Sequence, residues 1–249
     1  MTYRTVVITG GTKGIGRSIA DSFLSAGYNV FIGARNKPDL SSYPSNLRFV
    51  QTDVRDEISI AHLIQTAFDA TGRLDTLVNN AGYSEWRAIE NIDADFLSNI
   101  FHTNVFGTFW ACKSSVSYMT SGSSIINVSS IAGKRGSSNN SAYVATKFAM
   151  NGLTQSLCKE LGHKGIRVNS VCPVLVETPG LNDALSLADS PASGISPSSF
   201  ISEFSKSNSA LKRLPTGSEI GSACLFLASD ASSAITGQNI NVDCGVFPQ

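Results

Sequence analysis

Short β-branched runs alternate with longer amphipathic stretches along almost the whole chain, and this alternation limits the fold more than any other feature. TVVITG, NVFIGAR, LRFVQTD, LDTLVNNAG, SIINVSS, IRVNSVCP and QNINVD read as strands. Between them, GRSIADSFLSAG, ISIAHLIQTAFDATG, a stretch from about Asp93 to Met119, another from about Ala142 to Leu161, and SEIGSACLFLASD read as helices. Strands separated by helices cannot pair as hairpins, so they return to one sheet in parallel. Apolar runs such as Val6–Ile8 and Ile125–Ile126 lack the alternation of a half-exposed strand and fit a sheet covered on both faces. The expected fold class is α/β: a single-domain doubly wound parallel sheet with helices on both faces, spanning all 249 residues.

The pattern breaks once, from residue 177 to about 213. Ten serines between Ser186 and Ser209, with Pro179, Pro191 and Pro197, interrupt it. This reads as a mobile excursion over a site, helical around SSFISEFSKS, and the expectation is a substrate lid.

Nineteen basic residues balance nineteen acidic ones, which leaves no field to hold a polyanion, so nucleic acid is not an expected partner. The five cysteines are scattered without paired spacing and the three histidines lie far apart, so neither a disulfide framework nor a metal site is expected. No apolar run is long enough to span a bilayer, and MTYRTVVITG leads into a strand without a leader pattern; a cytoplasmic protein with no membrane partner is expected.

VVITGGTKGIGRSIA is a strand, a glycine-rich turn and a helix start in immediate succession. Without Cβ atoms, Gly10, Gly14 and Gly16 let the backbone turn tightly and approach a pyrophosphate, with helix N-terminal amides facing the anion. The turn, with Thr12, Lys13 and Ile15 among its glycines, is the expected phosphate cradle. The second strand ends in IGARN, placing Ala34 and Arg35 where many NAD-binding folds carry a carboxylate. An arginine there pairs with a 2′-phosphate, and Lys13 adds a second positive charge, so NADP is expected in preference to NAD.

SAYVATKFAM places Tyr143 and Lys147 one turn apart on one helix face, a spacing that is common on surface helices and carries little alone. TGGTKGIG (Thr9–Gly16), NNAG (Asn79–Gly82), Asn104 in FHTNVFG, Ser129 in INVSS and YVATK (Tyr143–Lys147) follow one another in the order and spacing of a known pattern. On these motifs the chain resembles the short-chain dehydrogenase/reductase family over essentially its whole length, including QTDV, CPVLVETP and ITGQNINVD. The resemblance implies a Rossmann-type sheet with a nicotinamide cofactor across the carboxyl ends of its strands. It places Asp53 and Val54 at the adenine, Asn80, Ala81 and Gly82 by the adenosine ribose, Lys147 on the nicotinamide ribose, and Pro173, Val176 and Thr178 beside the nicotinamide. It also implies a catalytic set of Asn104, Ser129, Tyr143 and Lys147, with Asn104 holding a water that extends a proton relay. Family members commonly associate through their two long helices, so a homo-oligomer, a tetramer, is expected. Two departures stand out: Val174 follows Pro173 where the family has glycine, which implies an altered pocket, and Cys244 replaces a common glycine, which reads as a local packing variation.

Reducing a ketone needs hydride on carbon and a proton on oxygen. A phenol, with a pKa near 10, shares its proton poorly at neutrality; a neighbouring ammonium and the positive ring of an oxidised cofactor both favour phenolate. Ser129 would hold the reacting oxygen as charge develops on it. The expected activity is NADP-dependent interconversion of a secondary alcohol and a ketone on a small polar or sugar-like metabolite. The alternatives are a 3-oxoacyl-carrier-protein reductase, for which Lys134 and Arg135 would contribute a basic patch, and a non-catalytic NADP-sensing regulator. The substrate pocket is expected to draw on Tyr83, Trp86, Ala132, Lys134, Arg135, Asn140, Val174 and the excursion.

Overall fold

Seven parallel strands form one sheet in the computed structural model, which describes residues 3–248. They are β1 (Thr5–Thr9), β2 (Asn29–Ala34), β3 (Leu47–Gln51), β4 (Thr76–Asn79), β5 (Ser124–Val128), β6 (Arg167–Pro173) and β7 (Asn239–Val242). Their order is β3-β2-β1-β4-β5-β6-β7. The chain builds outward from β1 on one side, then crosses back to β4 and builds outward on the other. Where that reversal falls, Thr9 lies opposite Asn79 and the loops leaving β1 and β4 diverge, opening a crevice at the carboxyl edge.

Alternate strand residues feed opposite faces. Val6 and Ile8 point to one side, where α1 (Gly14–Ser25) and α8 (Gly217–Ala228) bring Ile19, Phe23, Ile220 and Leu227. Val7 points to the other, where α2 (Glu57–Thr71), α4 (Gly107–Ser115) and α5 (Ser141–Leu161) bring Ile60, Leu63, Ala111 and Leu161. Helix starts follow local chemistry: Asp56 caps α2, and Thr216 with Glu219 forms a reciprocal capping box on α8.

The long helix expected from Asp93 to Met119 is not continuous. It comprises α3 (Ala94–Phe101), a widened π turn over His102–Phe106, and α4. Gly107 follows the bulge, and a Cβ there would lie 2.9 Å from the Val54 carbonyl oxygen, so glycine lets α4 close on the loop after β3. The extra residue of a π turn breaks the 3.6 period that a sequence pattern reveals, and such turns gather at functional sites.

The serine-rich excursion is more regular than its composition suggests. It contains α6 (Pro179–Leu185) and α7 (Pro197–Asn208), each with proline in its first turn and each capped, by Thr178 and Ser196 respectively. Trp86 from the β4 loop joins Ala184, Leu185 and Ala192 in an apolar cluster beneath them. The excursion returns to the body at Cys244, whose carbonyl accepts the Ser209 hydroxyl at 2.9 Å and the Leu211 N–H at 3.2 Å. Cys244 has φ of +54°, so it is more than a packing variation: it occupies a left-handed position where glycine carries no Cβ penalty. Cys244→Gly is expected to stabilise the protein by about 0.5–1 kcal/mol, the relief of Cβ strain less the added freedom of the unfolded chain. A urea titration reads this, and a midpoint at or below wild type would mean that the thiol packing outweighs the strain.

Candidate active site

The glycine turn lies at the start of the crevice. α1 begins after Lys13 without a side-chain cap, and Gly14, Ile15 and Gly16 line the cleft, so the first-turn amides are left to an incoming group. A Cβ on Gly16 would collide with the Gly10 carbonyl and the Asn80 amide, so no larger residue fits. Asn80 holds the turn in shape by donating to the carbonyls of Thr9 and Gly10, at 3.0 Å each.

From this turn a continuous cleft of about 1250 Å³ runs along the carboxyl edge of the sheet. Every residue expected to contact the cofactor lines it except Pro173, which is buried in β6 and offers its carbonyl to Ser130 at 3.4 Å. Arg35 stands at the β2 end, near enough to Asp53 to help keep its carboxylate ionised. An elongated cleft with an uncapped helix start, a glycine cradle and arginines at the adenosine end fits a dinucleotide. One expected contact is preoccupied: the Asp53 carboxylate is engaged by Arg55 at 2.6 Å, and these hydrogen bonds hold its pKa below the ordinary aspartate value. Arg55 also lines the cleft and reaches Asn99 at 3.4 Å; lying just beyond a strand end, it carried no signal in the sequence pattern.

Deeper in, α5 presents Tyr143 and Lys147 to the cleft, with the Lys147 Nζ 5.5 Å from the phenol ring centre. Lys147 is buried; its ammonium donates to the Val128 carbonyl at 2.8 Å and lies 3.9 Å from the Met150 sulfur. Burial pushes the lysine down to about 8, an effect partly offset by Cys172. Burial likewise pushes Tyr143 up to about 12, although the nearby Ser130 hydroxyl pulls the other way. Burial thus shifts both groups toward their neutral forms, although at about 8 the lysine still carries its charge at neutral pH.

Two serines, Ser129 and Ser130, follow β5 and line the cleft. Ser129 is buried, and its hydroxyl donates to the Lys147 carbonyl at 3.4 Å, away from the phenol. Ser130, the next residue, faces Tyr143; it sits where β5 gives way to a short turn and also accepts the Ala132 N–H at 3.1 Å. Adjacent residues at a strand end point in opposite directions, and INVSS alone does not say which hydroxyl lies by the phenol.

Asn104 is fully buried in the π turn and does not line the cleft. Its side chain accepts the Tyr83 N–H at 3.0 Å and donates to the Tyr83 carbonyl at 3.0 Å and the Thr146 hydroxyl at 3.1 Å. Both amide hydrogens are thus spent tying the β4 loop and α5 to the π turn, leaving no side-chain donor for a relay water. Of the expected substrate-pocket residues, Tyr83, Trp86, Ala132, Arg135, Asn140 and Val174 line the cleft. Lys134 does not; its ammonium donates to the Asn239 carbonyl at 2.7 Å. Among the described residues no cluster suited to a metal ion occurs, and all five cysteines are unpaired.

A doubly wound sheet whose crevice joins a glycine cradle to a tyrosine beside a buried lysine is that of a dinucleotide-dependent oxidoreductase acting on CH–OH groups. The chain belongs to the short-chain dehydrogenase/reductase family, matching over residues 10–247 the family described as enoyl-(acyl carrier protein) reductase. It is 33% identical over 261 residues to a 3-oxoacyl-[acyl-carrier-protein] reductase of Chlamydia trachomatis, covering 98% of this chain and 97% of that one. The ligand-free aldohexose dehydrogenase of Thermoplasma acidophilum superposes with a TM-score of 0.89 at 31% identity, over 99% of this chain and 98% of that one. An actinorhodin polyketide ketoreductase solved with NADPH superposes with a TM-score of 0.90 at 27% identity, over 98% and 97% of the two chains.

Two expectations follow from this geometry. Ser130→Ala should lower turnover about 100-fold, the scale of losing one donor to a developing oxyanion, while Ser129→Ala costs far less; steady-state rates for both variants decide the order. Lys147→Met should stabilise the cofactor-free protein by about 1–3 kcal/mol at neutral pH, because it removes a buried charge. Since the folded-state pKa is lowered to about 8 from 10.5, that gain is full below pH 8 and fades as the pH rises toward 10.5. Denaturant titrations across this range should follow that course, and a gain independent of pH would mean that the lysine is not titrating there.

Proposed function

We propose that the protein is an NADP(H)-dependent oxidoreductase that interconverts a secondary alcohol and a ketone on a small polar or sugar-like metabolite. The observation that carries this reading is the grouping of Tyr143, Ser130 and Lys147 on the floor of a cleft that continues to Arg35 and Lys13. The nicotinamide, when bound, supplies the hydride. Ser130 holds the substrate oxygen, and Tyr143 gives that oxygen its proton in reduction or takes it in oxidation. Lys147 binds the ribose hydroxyls beside the ring and, as an ammonium near the phenol, favours release of the tyrosine proton. Asn104 acts through position, holding Tyr83 and Thr146 on either side of the pair.

The cofactor preference rests on Arg35 and Lys13 in the absence of an acidic residue at the end of β2. The polar-metabolite reading draws on the aldohexose dehydrogenase likeness and on a substrate half that mixes Asn140, Ser138 and Tyr83 with Trp86 and Phe200. The carrier-protein alternative has a relative in its favour, but Lys134 is tied to Asn239 and Arg135 lies over the Phe247 ring at 5.0 Å, which leaves little of the expected basic patch. The excursion serves as the substrate lid. Exposed Phe106, Phe109 and Phe148, on the π turn, α4 and α5, give an apolar face suited to self-association, in line with an oligomer. No helix among the described residues is long and apolar enough to cross a membrane.

The test follows NADPH and NADH absorbance against a panel of ketones, sugars and acyl thioesters. Reduction of small hydroxylated carbonyls in preference to thioesters supports the reading, and binding of neither nucleotide overturns it. Tyr143→Phe should keep NADPH binding while turnover falls by roughly 100- to 10,000-fold. Arg35→Ala should weaken NADPH roughly 10- to 100-fold and NADH little, as measured by fluorescence titration; equal weakening of both would remove the 2′-phosphate role.

A further inference from the structure

Three segments far apart in sequence meet beside the substrate half of the cleft: the loop after β4, the loop leading into α5, and the middle of the excursion. Four hydrogen bonds join them. The Asp189 carboxylate accepts the Ala88 N–H at 2.9 Å and the Asn91 amide at 3.4 Å. The Asp189 carbonyl accepts the Asn139 amide at 3.1 Å, and the Asn139 carbonyl accepts the Arg87 N–H at 2.7 Å. Asn139 has φ of +54°, a left-handed turn that asparagine accepts more readily than other side chains.

The β4 loop is a firm post. Arg87 pairs with Glu85 at 2.7 Å and Asp93 at 3.2 Å, and its guanidinium lies 4.1 Å from the centre of the Phe96 ring. The ends of the excursion are fixed elsewhere, at the Thr178 cap and on the Cys244 carbonyl. Its middle is held down by Asp189 and by the apolar cluster around Trp86.

We propose that Asp189 is a positioning residue: a latch that holds the excursion shut over the substrate and makes closure and alignment of Tyr143 a single event. This rests on the reading of the excursion as a lid. Asn139 precedes Asn140, the residue at the start of α5, and Tyr143 lies in that helix's first turn. Closing the latch therefore fixes the loop that feeds the catalytic helix. A carboxylate on a backbone N–H suits this task, because it is strong and directional when closed and its polar groups are satisfied by water when open.

Hydrogen exchange on the full-length protein reads the latch directly. In Asp189→Ala, the Ala88 amide and the 186–204 segment should exchange about tenfold faster. Asp189→Asn, whose amide oxygen still accepts the Ala88 N–H, should keep most of the protection. With a ketone taken from the panel, Asp189→Ala should lower kcat/KM about tenfold with NADPH affinity unchanged, and Asp189→Asn should restore most of it. Unchanged exchange in Asp189→Ala overturns the latch. Faster exchange with kcat and KM both unchanged overturns its positioning role. Faster exchange in a protein that reduces no carbonyl overturns the functional reading and leaves Asp189 as a closure contact.

Discussion

An ammonium group inside a protein needs an acceptor and a reason to be there. Lys147 has the Val128 carbonyl at 2.8 Å, at the carboxyl end of β5, and much of the site is arranged around that contact. It draws α5 onto the sheet edge and sets Tyr143 beside the charge. The backbone carbonyl of the same lysine accepts the Ser129 hydroxyl, while Ser130 lies by the phenol. Burial disfavours the charge, and Val128 returns only part of what water gave it. The site thus holds its lysine in a less comfortable state than solvent would, as suits the proton-biasing role proposed for it.

The architecture was legible because it is written in local patterns. Runs such as Val6–Ile8 declared buried parallel strands, and the glycine turn before α1 declared where the chain had to bend tightly. The residues that the motifs assign to the cofactor line the cleft, Pro173 apart, while others such as Arg55, Asn99 and Thr103 carried no signal. What escaped the sequence depended on direction. INVSS supplies two hydroxyls, and only the turn after β5 determines that Ser130 faces Tyr143. Likewise, the sequence put Lys134 near the mouth, while the fold sends its amine to Asn239.

Asn104 shows a second limit. A polar residue within an apolar helical stretch signalled importance, but its role is set by Tyr83 and Thr146, which the fold brings from other segments. Cys244 shows a third: its left-handed backbone is not encoded by cysteine but imposed by the chain around it, with Ser209 and Leu211 bound to its carbonyl. The excursion, too, looked irregular by composition, yet Thr178 and Ser196 cap its helices and Trp86 gives them something to pack on.

The π turn at His102–Phe106 acts as a phase shifter. It adds a residue to what would otherwise be one continuous helix, so α3 and α4 present their apolar sides on bearings that no regular helix of this sequence could combine. Winding this stretch as an ordinary α-helix with no residue removed would rotate everything downstream by about 100°. Cys112 would swing to the exposed bearing now held by Lys113, and Thr108 to that of Phe109. The irregularity is therefore the joint that sets the inner and outer surfaces of α4, and a smoother helix would be a different protein.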